Sequence, residues 1–253
     1  MDRRIIILSG ACVLALFFFL ALTTQGFRLV GRTGVHTEAA AAFGLDKTSL
    51  YAWYDFTSDE SDAHGTNDLG VTGSPIYTNL GGQAYAICTS NTPAGFVDDA
   101  GANIGTSWNT NDVDSALVCR WRVRTGFVNG HRVASFKNQR AQIRYLTSNI
   151  NGRMGNKFDT SGTAGNTNDW FCTVVNHEVG NIVETFINNS TDGKSTGTYD
   201  VANNLLGYLP GEGITHQDAD IDYIAFYNRI LTTAEVAAVY NSSNTITYAD
   251  LDD

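Results

Sequence analysis

Signatures of the common catalytic loops are missing from this sequence. It has no G-x-x-x-x-G-K-[ST] run, which removes a phosphate-cradling loop, and no G-x-S-x-G, which removes a strained nucleophile turn. The five His show no H-x-x-x-H spacing and the Cys no C-x-x-C, so no familiar metal or redox spacing is present. Cysteine is scarce as well. Cys88, Cys119 and Cys172 follow the N-terminal region, an odd number, and the last two sit in apolar strand-like runs. That placement reads as buried free thiols rather than as a disulfide framework. There are 3 Pro, no fixed-period repeat, and no low-complexity tract beyond Ala39 to Ala42. Sustained helical periodicity is also missing from the soluble part, with one short exception near the C-terminus.

What is present points to strands. The chain carries 25 Gly, together with many Asn, Thr and Ser between short apolar runs. Short apolar runs punctuated by turn residues predict an all-β fold, a sandwich or a barrel. Residues 48–253 are long enough to bury a sizeable core as one domain.

The N-terminus differs. Arg3 and Arg4 precede 18 mostly apolar residues, Ile5 to Leu22. As a helix they span roughly 27 Å, close to the thickness of a hydrocarbon core of about 30 Å. The following "LTTQGFR" is a poor cleavage site. Residues 1–26 therefore read as a retained single-pass membrane anchor, with a signal segment and a secreted product as the alternative. Residues 27–47 read as a linker. Arg28 and Arg32 follow the apolar run as Arg3 and Arg4 precede it, so loop charge assigns no orientation.

The most informative stretch is "DADIDYIAFYNRILTTAEVAAVYN", Asp218 to Asn241. Thr232 as N-cap and Glu235 three residues on form a capping box, and Leu231 before the cap packs against Val236 as a hydrophobic staple. The helix is expected to end near Tyr240, with Val236, Val239 and Tyr240 facing the sandwich. In the preceding strand, alternation puts Asp222 on one face with Ile224 and Phe226, and Tyr223, Ala225 and Tyr227 on the other. A carboxylate at that position requires backbone N–H partners or a cation.

This stretch resembles the closing strand and helix of laminin G-like, concanavalin A-like jelly-roll domains, whose pattern there is close to I-D-x-[VI]-x-[FI]-[YW]-x-R-x-L-[ST]-x-x-E-x-x-x-[LV]-Y-N. Three further segments are similar in order: "LYAWYDF" with "DAHGTNDL", "DVDSALVCRWRV", and "DWFCTVVNHEVGNIVETFINN", whose hairpin tip would run from Asn188 to Gly193. The resemblance implies an antiparallel two-sheet jelly-roll sandwich with a short C-terminal helix over residues 48–253. It says little about function, because this fold hosts lectins, adhesion modules, glycosidases and structural virus proteins. Glycosidase relatives carry E-x-D-x-x-E on one strand, which places two carboxylates together for retaining hydrolysis. None of the six Glu, at positions 38, 60, 178, 184, 212 and 235, forms that spacing. The resemblance also implies a structural calcium at Asp222, with Asp62 in "SDAHGTND" as a second candidate. For Asp62 the alternative is an Asx-turn carboxylate accepting local N–H bonds.

Two surface features remain. Trp53, Trp121 and Trp170 lie in apolar strand runs and read as core, whereas Trp108 in "GTSWNTND" lies among turn residues and is the candidate sugar platform. From Arg120 to Lys157 there are nine Lys and Arg and no Asp or Glu, while the rest of the chain has 7 basic and 26 acidic residues, +9 against −19. In "RWRVR", Arg120, Arg122 and Arg124 share a strand face. With Arg144 they are expected to form a basic face for an acidic glycan or an acidic protein surface. A net charge of −10 and the lack of a binding motif argue against nucleic acid.

The reading is a non-catalytic surface module for recognition or adhesion, glycan-binding and tethered to a membrane. Its alternatives are a self-associating structural protein of a virion or surface layer and, more weakly, a divergent glycosidase.

Overall fold

The computed structural model describes residues 44–80, 83–88, 95–97, 108, 113–124, 126, 131–136, 141–146, 149–154, 157–158, 164, 166–179, 182–188, 190–196, 218–241 and 246–253. The expected anchor at 1–26 and most of the linker lie outside these residues. Among the described residues no helix is long and apolar enough to cross a membrane. Gly44 to Lys47, read above as linker, belong to the domain. Leu45 is fully buried, and Leu45 and Lys47 exchange backbone bonds with Asp252 at 3.0 Å each.

Among the described residues fourteen strands form antiparallel pairs. They are β1 (Leu50–Tyr54), β2 (Gly70–Thr72), β3 (Ile76–Leu80), β4 (Gln83–Cys88), β5 (Gly95–Val97), β6 (Ser115–Val123), β7 (Arg132–Phe136), β8 (Ala141–Leu146), β9 (Asn149–Met154), β10 (Lys157–Phe158), β11 (Trp170–Glu178), β12 (Ile182–Ile187), β13 (Ser190–Thr196) and β14 (Ala219–Tyr227). One helix follows, α1 (Thr233–Asn241). The large sheet has the order β13-β12-β11-β6-β14-β4-β3, with β1 also on β14. The small sheet is β10-β9-β8-β7, and β2 pairs with β5. Since β13 begins at Ser190, the β12–β13 tip is tighter than Asn188 to Gly193. Asn188 takes the left-handed conformation there, with φ of 50°.

The inner core forms between the two sheets. Leu117, Cys119, Trp121, Val175, Ile221, Ile224 and Phe226 of the large sheet meet Val133, Ala134, Ile143, Ile150 and Met154 of the small one. Gly152 marks a close approach. A Cβ there would collide with Thr185 Oγ1 and come within 2.8 Å of Val175 Cγ2, so only glycine lets β9 lie this close to the large sheet. The three described Cys are free and buried, as expected.

The large sheet is apolar on its outer face too, which is why "YIAFY" reads apolar on both sides. Trp53, Val118, Val174, Tyr223, Ala225 and Tyr227 pack there beneath Leu231, Val236 and Val239. Tyr240, expected on that side of α1, is instead 43% exposed. The capping box forms. Thr232 N donates to Glu235 Oε2 at 2.8 Å, and Glu235 N donates to Thr232 Oγ1 at 3.3 Å. Leu231 and Val236 are both buried beside it.

Candidate functional site

Arg120, Arg122 and Arg124 occupy the outer face of β6, as alternation predicts, but carboxylates of the adjacent β14 pair with them. Arg120 Nη1 donates to Asp222 Oδ2. Arg122 Nε and Nη2 lie 2.8 and 2.6 Å from Asp220 Oδ2, and Arg124 Nε lies 2.8 Å from Asp220 Oδ1. Both Asp are fully buried. Burial pushes the Asp220 carboxyl above its usual range, against the pull of Arg122 and Arg124. The rings add a second layer: the Arg122 guanidinium lies 4.6 Å from the Trp170 centroid and 5.1 Å from that of Tyr85, and Arg120 lies 5.0 Å from Trp170. Trp170, read as core, is therefore a half-buried cover over this ion-pair row.

A bulge makes the row possible. β14 pairs with β4 over Ala219 to Ile221 and with β1 over Ile224 to Tyr227, and its register against β6 slips between Ile221 and Tyr223. Ile221 and Ile224 both point inward, so the extra residue, Asp222, joins Tyr223 on the outer face. This corrects the expectation that Asp222 shares a face with Ile224 and Phe226. Its cationic partner is Arg120. The row that was expected to await an outside anion is paired within the sheet.

Donors of the chain engage both residues considered for calcium. Asp222 engages Arg120. Asp62 Oδ1 accepts Trp53 N and His64 N, both at 3.0 Å, and Oδ2 accepts Asn67 N and Nδ2 at 3.2 and 3.1 Å. That is the Asx-turn arrangement, with N–H donors where a cation would need open oxygens. Among the described residues no three His, Cys, Asp or Glu form a group that could hold a metal ion. Trp108 is fully buried, edge-on to Phe226 with centroids 5.0 Å apart, and its Nε1 donates to Tyr227 O at 3.0 Å. It presents no face for a sugar.

Two residues went unnoticed in the sequence. Arg229 grips both Glu235 oxygens at 2.9 and 2.5 Å, Asp46 Oδ1 at 2.9 Å and Thr48 O at 2.9 Å, tying α1 to the start of the domain. Asn176 brackets Leu231, donating to its carbonyl at 2.8 Å and accepting its N–H at 3.0 Å. Arg229 occupies the Arg of the closing motif, which was the available signal. Asn176 had none, because its partner lies 55 residues away.

Arg144 lies elsewhere, in the small sheet. Directly opposed residues of an antiparallel pair share a face. The register sets Arg144 against Arg132 and Asn151, Gln142 against Ser135 and Arg153. A slip between Arg132 and Ala134 sends Val133 and Ala134 both inward and leaves Arg132 and Ser135 outward. The outer face of the small sheet is thus built from Arg132, Ser135, Gln142, Arg144, Asn151 and Arg153. Ser135, Gln142 and Asn151 are buried, and Gln142 Nε2 donates to Ser135 Oγ at 3.1 Å. Burial, with the Arg132 charge opposite, lowers the Arg144 guanidinium to about 10, and burial lowers Arg132 as well. The described Arg of the basic stretch therefore divide between Arg120, Arg122 and Arg124 on the large sheet and Arg132, Arg144 and Arg153 on the small one.

No protein-family model matches the chain, and no curated protein is similar to it. Solved structures are similar in fold. Domain 4 of AbnA, an extracellular arabinanase from Geobacillus stearothermophilus solved with arabinotriose, matches at a TM-score of 0.60 and 15% identity, over 76% of this chain and 98% of that domain. The binding domain of Paraclostridial Mosquitocidal Protein 1 matches at 0.61 and 18%, over 77% and 52%. The receptor-binding domain of a botulinum neurotoxin C/D mosaic matches at 0.61 and 14%, over 78% and 52%. The chain spans about half the length of these toxin domains, 52% of each. At such identities the likeness establishes the fold, a two-sheet antiparallel β-sandwich of the kind these binding domains share.

Proposed function

We propose that this domain is a non-catalytic recognition module that binds glycans, a member of the laminin G-like, concanavalin A-like jelly-roll class. The observation that carries the reading is the outer face of the small sheet. Part-exposed guanidiniums from three adjacent strands, Arg132, Arg144 and Arg153, lie side by side there over a buried layer of amide and hydroxyl groups, and N–H donors of this kind suit sugar hydroxyls. The fold likeness supports it, since AbnA domain 4 was solved with arabinotriose, and cell entry of botulinum neurotoxin type C, another structure similar in fold, depends on interaction with two ganglioside molecules. The non-catalytic part rests on the scattered Glu. Glu60 accepts the Tyr77 hydroxyl at 2.7 Å, Glu235 caps α1, and Glu178 is exposed beyond the end of the core. The membrane tether rests on the apolar run Ile5 to Leu22.

The full chain in mild detergent, applied to a glycan array, tests this reading. Selective binding without cleavage is expected. Binding to no glycan, or hydrolysis of a bound one, contradicts it. The segregation of charge, +9 in one segment against −19 elsewhere, favours a second reading as a self-associating virion or surface-layer subunit. Salt-dependent self-association with no glycan binding would select that one.

A further inference from the structure

We infer that β3, the outermost strand of the large sheet, pairs antiparallel with β3 of a second copy of this chain, about a two-fold axis at Thr78. This interface lies apart from the glycan face, and either can fail without the other.

β3 ends the order of the large sheet, and among the described residues its one strand neighbour is β4. In an antiparallel ladder every second residue turns its N–H and C=O away from the partner strand, so the outer side of β3 offers a row of backbone donors and acceptors. Soluble proteins guard such an edge with charge, proline or a bulge. Other edges of this fold are guarded. β13 carries Asp192 and Lys194 and slips register against β12, β7 carries Arg132, and β10 carries Lys157. β3 reads Ile-Tyr-Thr-Asn-Leu, its register against β4 is unbroken, and Pro75 precedes the strand without entering it. Ile76 is 59% exposed and Leu80 69%. Exposed aliphatic side chains on an unguarded edge mark a strand that accepts another strand.

The sequence of β3 selects its own copy as the occupant. Tyr77 packs against the inner core, so Ile76, Thr78 and Leu80 stand on the outer face. Tyr85, opposed to Thr78 on β4, shares that face and meets Trp170 edge-on. Two antiparallel copies centred on Thr78 set Ile76 against Leu80 of the second copy, Thr78 against Thr78, and Tyr77 against Asn79. Thr–Thr is a favoured cross-strand pair, and each Ile76–Leu80 contact takes two exposed aliphatic side chains out of water. Charge points the same way. The chain carries a net −10, so two copies repel. From Leu69 to Val97 there is no Asp, Glu, Lys, Arg or His, and β3 lies inside that stretch, so the strand adds no like charge to the contact. Glu60 meets it through the Tyr77 hydroxyl, on the face away from Ile76 and Leu80. Because β3 meets β3, the pairing closes at a dimer instead of running on as a fibre.

The test uses the full chain in mild detergent. Sedimentation equilibrium of wild type and of Leu80→Lys is measured at low and at high salt. Wild type should form a dimer that persists at high salt, because the paired strands carry no charge. Leu80→Lys should weaken dimerisation about ten-fold or more, since the charge enters twice per dimer. Its melting temperature, taken where both proteins are monomeric, should match wild type, because Leu80 is exposed. A second pair of variants reads the register. Opposed residues of an antiparallel pair have Cα atoms about 4.5–5.5 Å apart, within the span of a disulfide. Mild oxidation should therefore link two copies of Thr78→Cys. Asn79→Cys, opposed to Tyr77, should link no more than wild type, whose described Cys are buried. A wild type that stays monomeric at every concentration reached would overturn the inference. A dimer that Leu80→Lys leaves intact would overturn it too, by placing the association elsewhere. So would a dimer that dissociates at high salt, or one that links through Asn79→Cys and not through Thr78→Cys.

Discussion

Replacing Asp222 with Ala leaves the Arg120 guanidinium buried without its carboxylate. Both side chains are nearly inaccessible, at 9% and 0% exposure, so water cannot take over the lost partner without opening the sheet. Removing one member of a buried pair costs about 3–5 kcal/mol, because the remaining charge stays desolvated. For a domain of this size each kcal/mol shifts Tm by about 2–4 °C, so a fall of roughly 6–20 °C is expected. The decisive comparison is the double variant Asp222→Leu with Arg120→Met. Exchanging a buried pair for apolar residues of similar volume is close to neutral, so the double variant should be within about 2 kcal/mol of wild type and better than either single change. Urea unfolding of the four proteins gives the coupling directly. A single Asp222→Ala that loses less than about 1 kcal/mol would show that Arg120 reaches water, and the pairing argument would fail. The same melts with and without chelator bear on calcium. With Asp222 on Arg120 and Asp62 saturated by N–H donors, a chelator should change nothing, and a fall in wild type alone would reinstate the ion.

Two other outcomes are expected. Thr232→Ala should cost about 1 kcal/mol and Leu231→Ala about 2–5 kcal/mol, read as shifts of the urea midpoint, since one removes a cap and the other a buried staple residue. Acidification should weaken the closure of α1. Burial raises the Glu235 carboxyl, but the Arg229 pair and the Thr232 N–H outweigh it and hold it below 4.5. A depressed carboxylate contributes stability that is full above its unfolded value and lost as pH falls through the folded one. Asp220, raised above 3.8, acts in the opposite sense, its contribution being fullest below that value and lost as pH rises. Glu235→Gln should therefore flatten the acid side of the Tm–pH curve, and an unchanged acid side would contradict the Arg229 assignment.

Much of this was legible locally. The alternation of "RWRVR" placed three Arg on one face, the T-x-x-E spacing placed a cap, and the Asp62 turn had three of its four N–H donors within five residues. What escaped depends on partners distant in sequence. Strict alternation puts Asp222 with Ile224, and only the change of neighbour from β4 to β1 inserts the bulge that turns it outward. Trp108 sits among turn residues, yet its ring inserts against Phe226, 118 positions on, and is lost to the surface. The basic residues form one block in sequence, but the described Arg divide between two faces in space, because the chain leaves the large sheet after β6 and builds the small one from β7 onward. Arg144 therefore faces away from the Arg row it was grouped with, and Arg132 and Gln142 emerge as its neighbours only through the register of β8.

The central claim is that the small sheet's outer face is where a glycan is recognised. Amide chemical-shift mapping of the full chain during titration with sialyllactose and with sulfated lactose tests it most directly. Shifts concentrated in β7, β8 and β9, at Arg132, Ser135, Gln142, Arg144 and Asn151, are predicted. Shifts centred on Arg120 to Arg124 and Trp170, or on neither sheet, would contradict it.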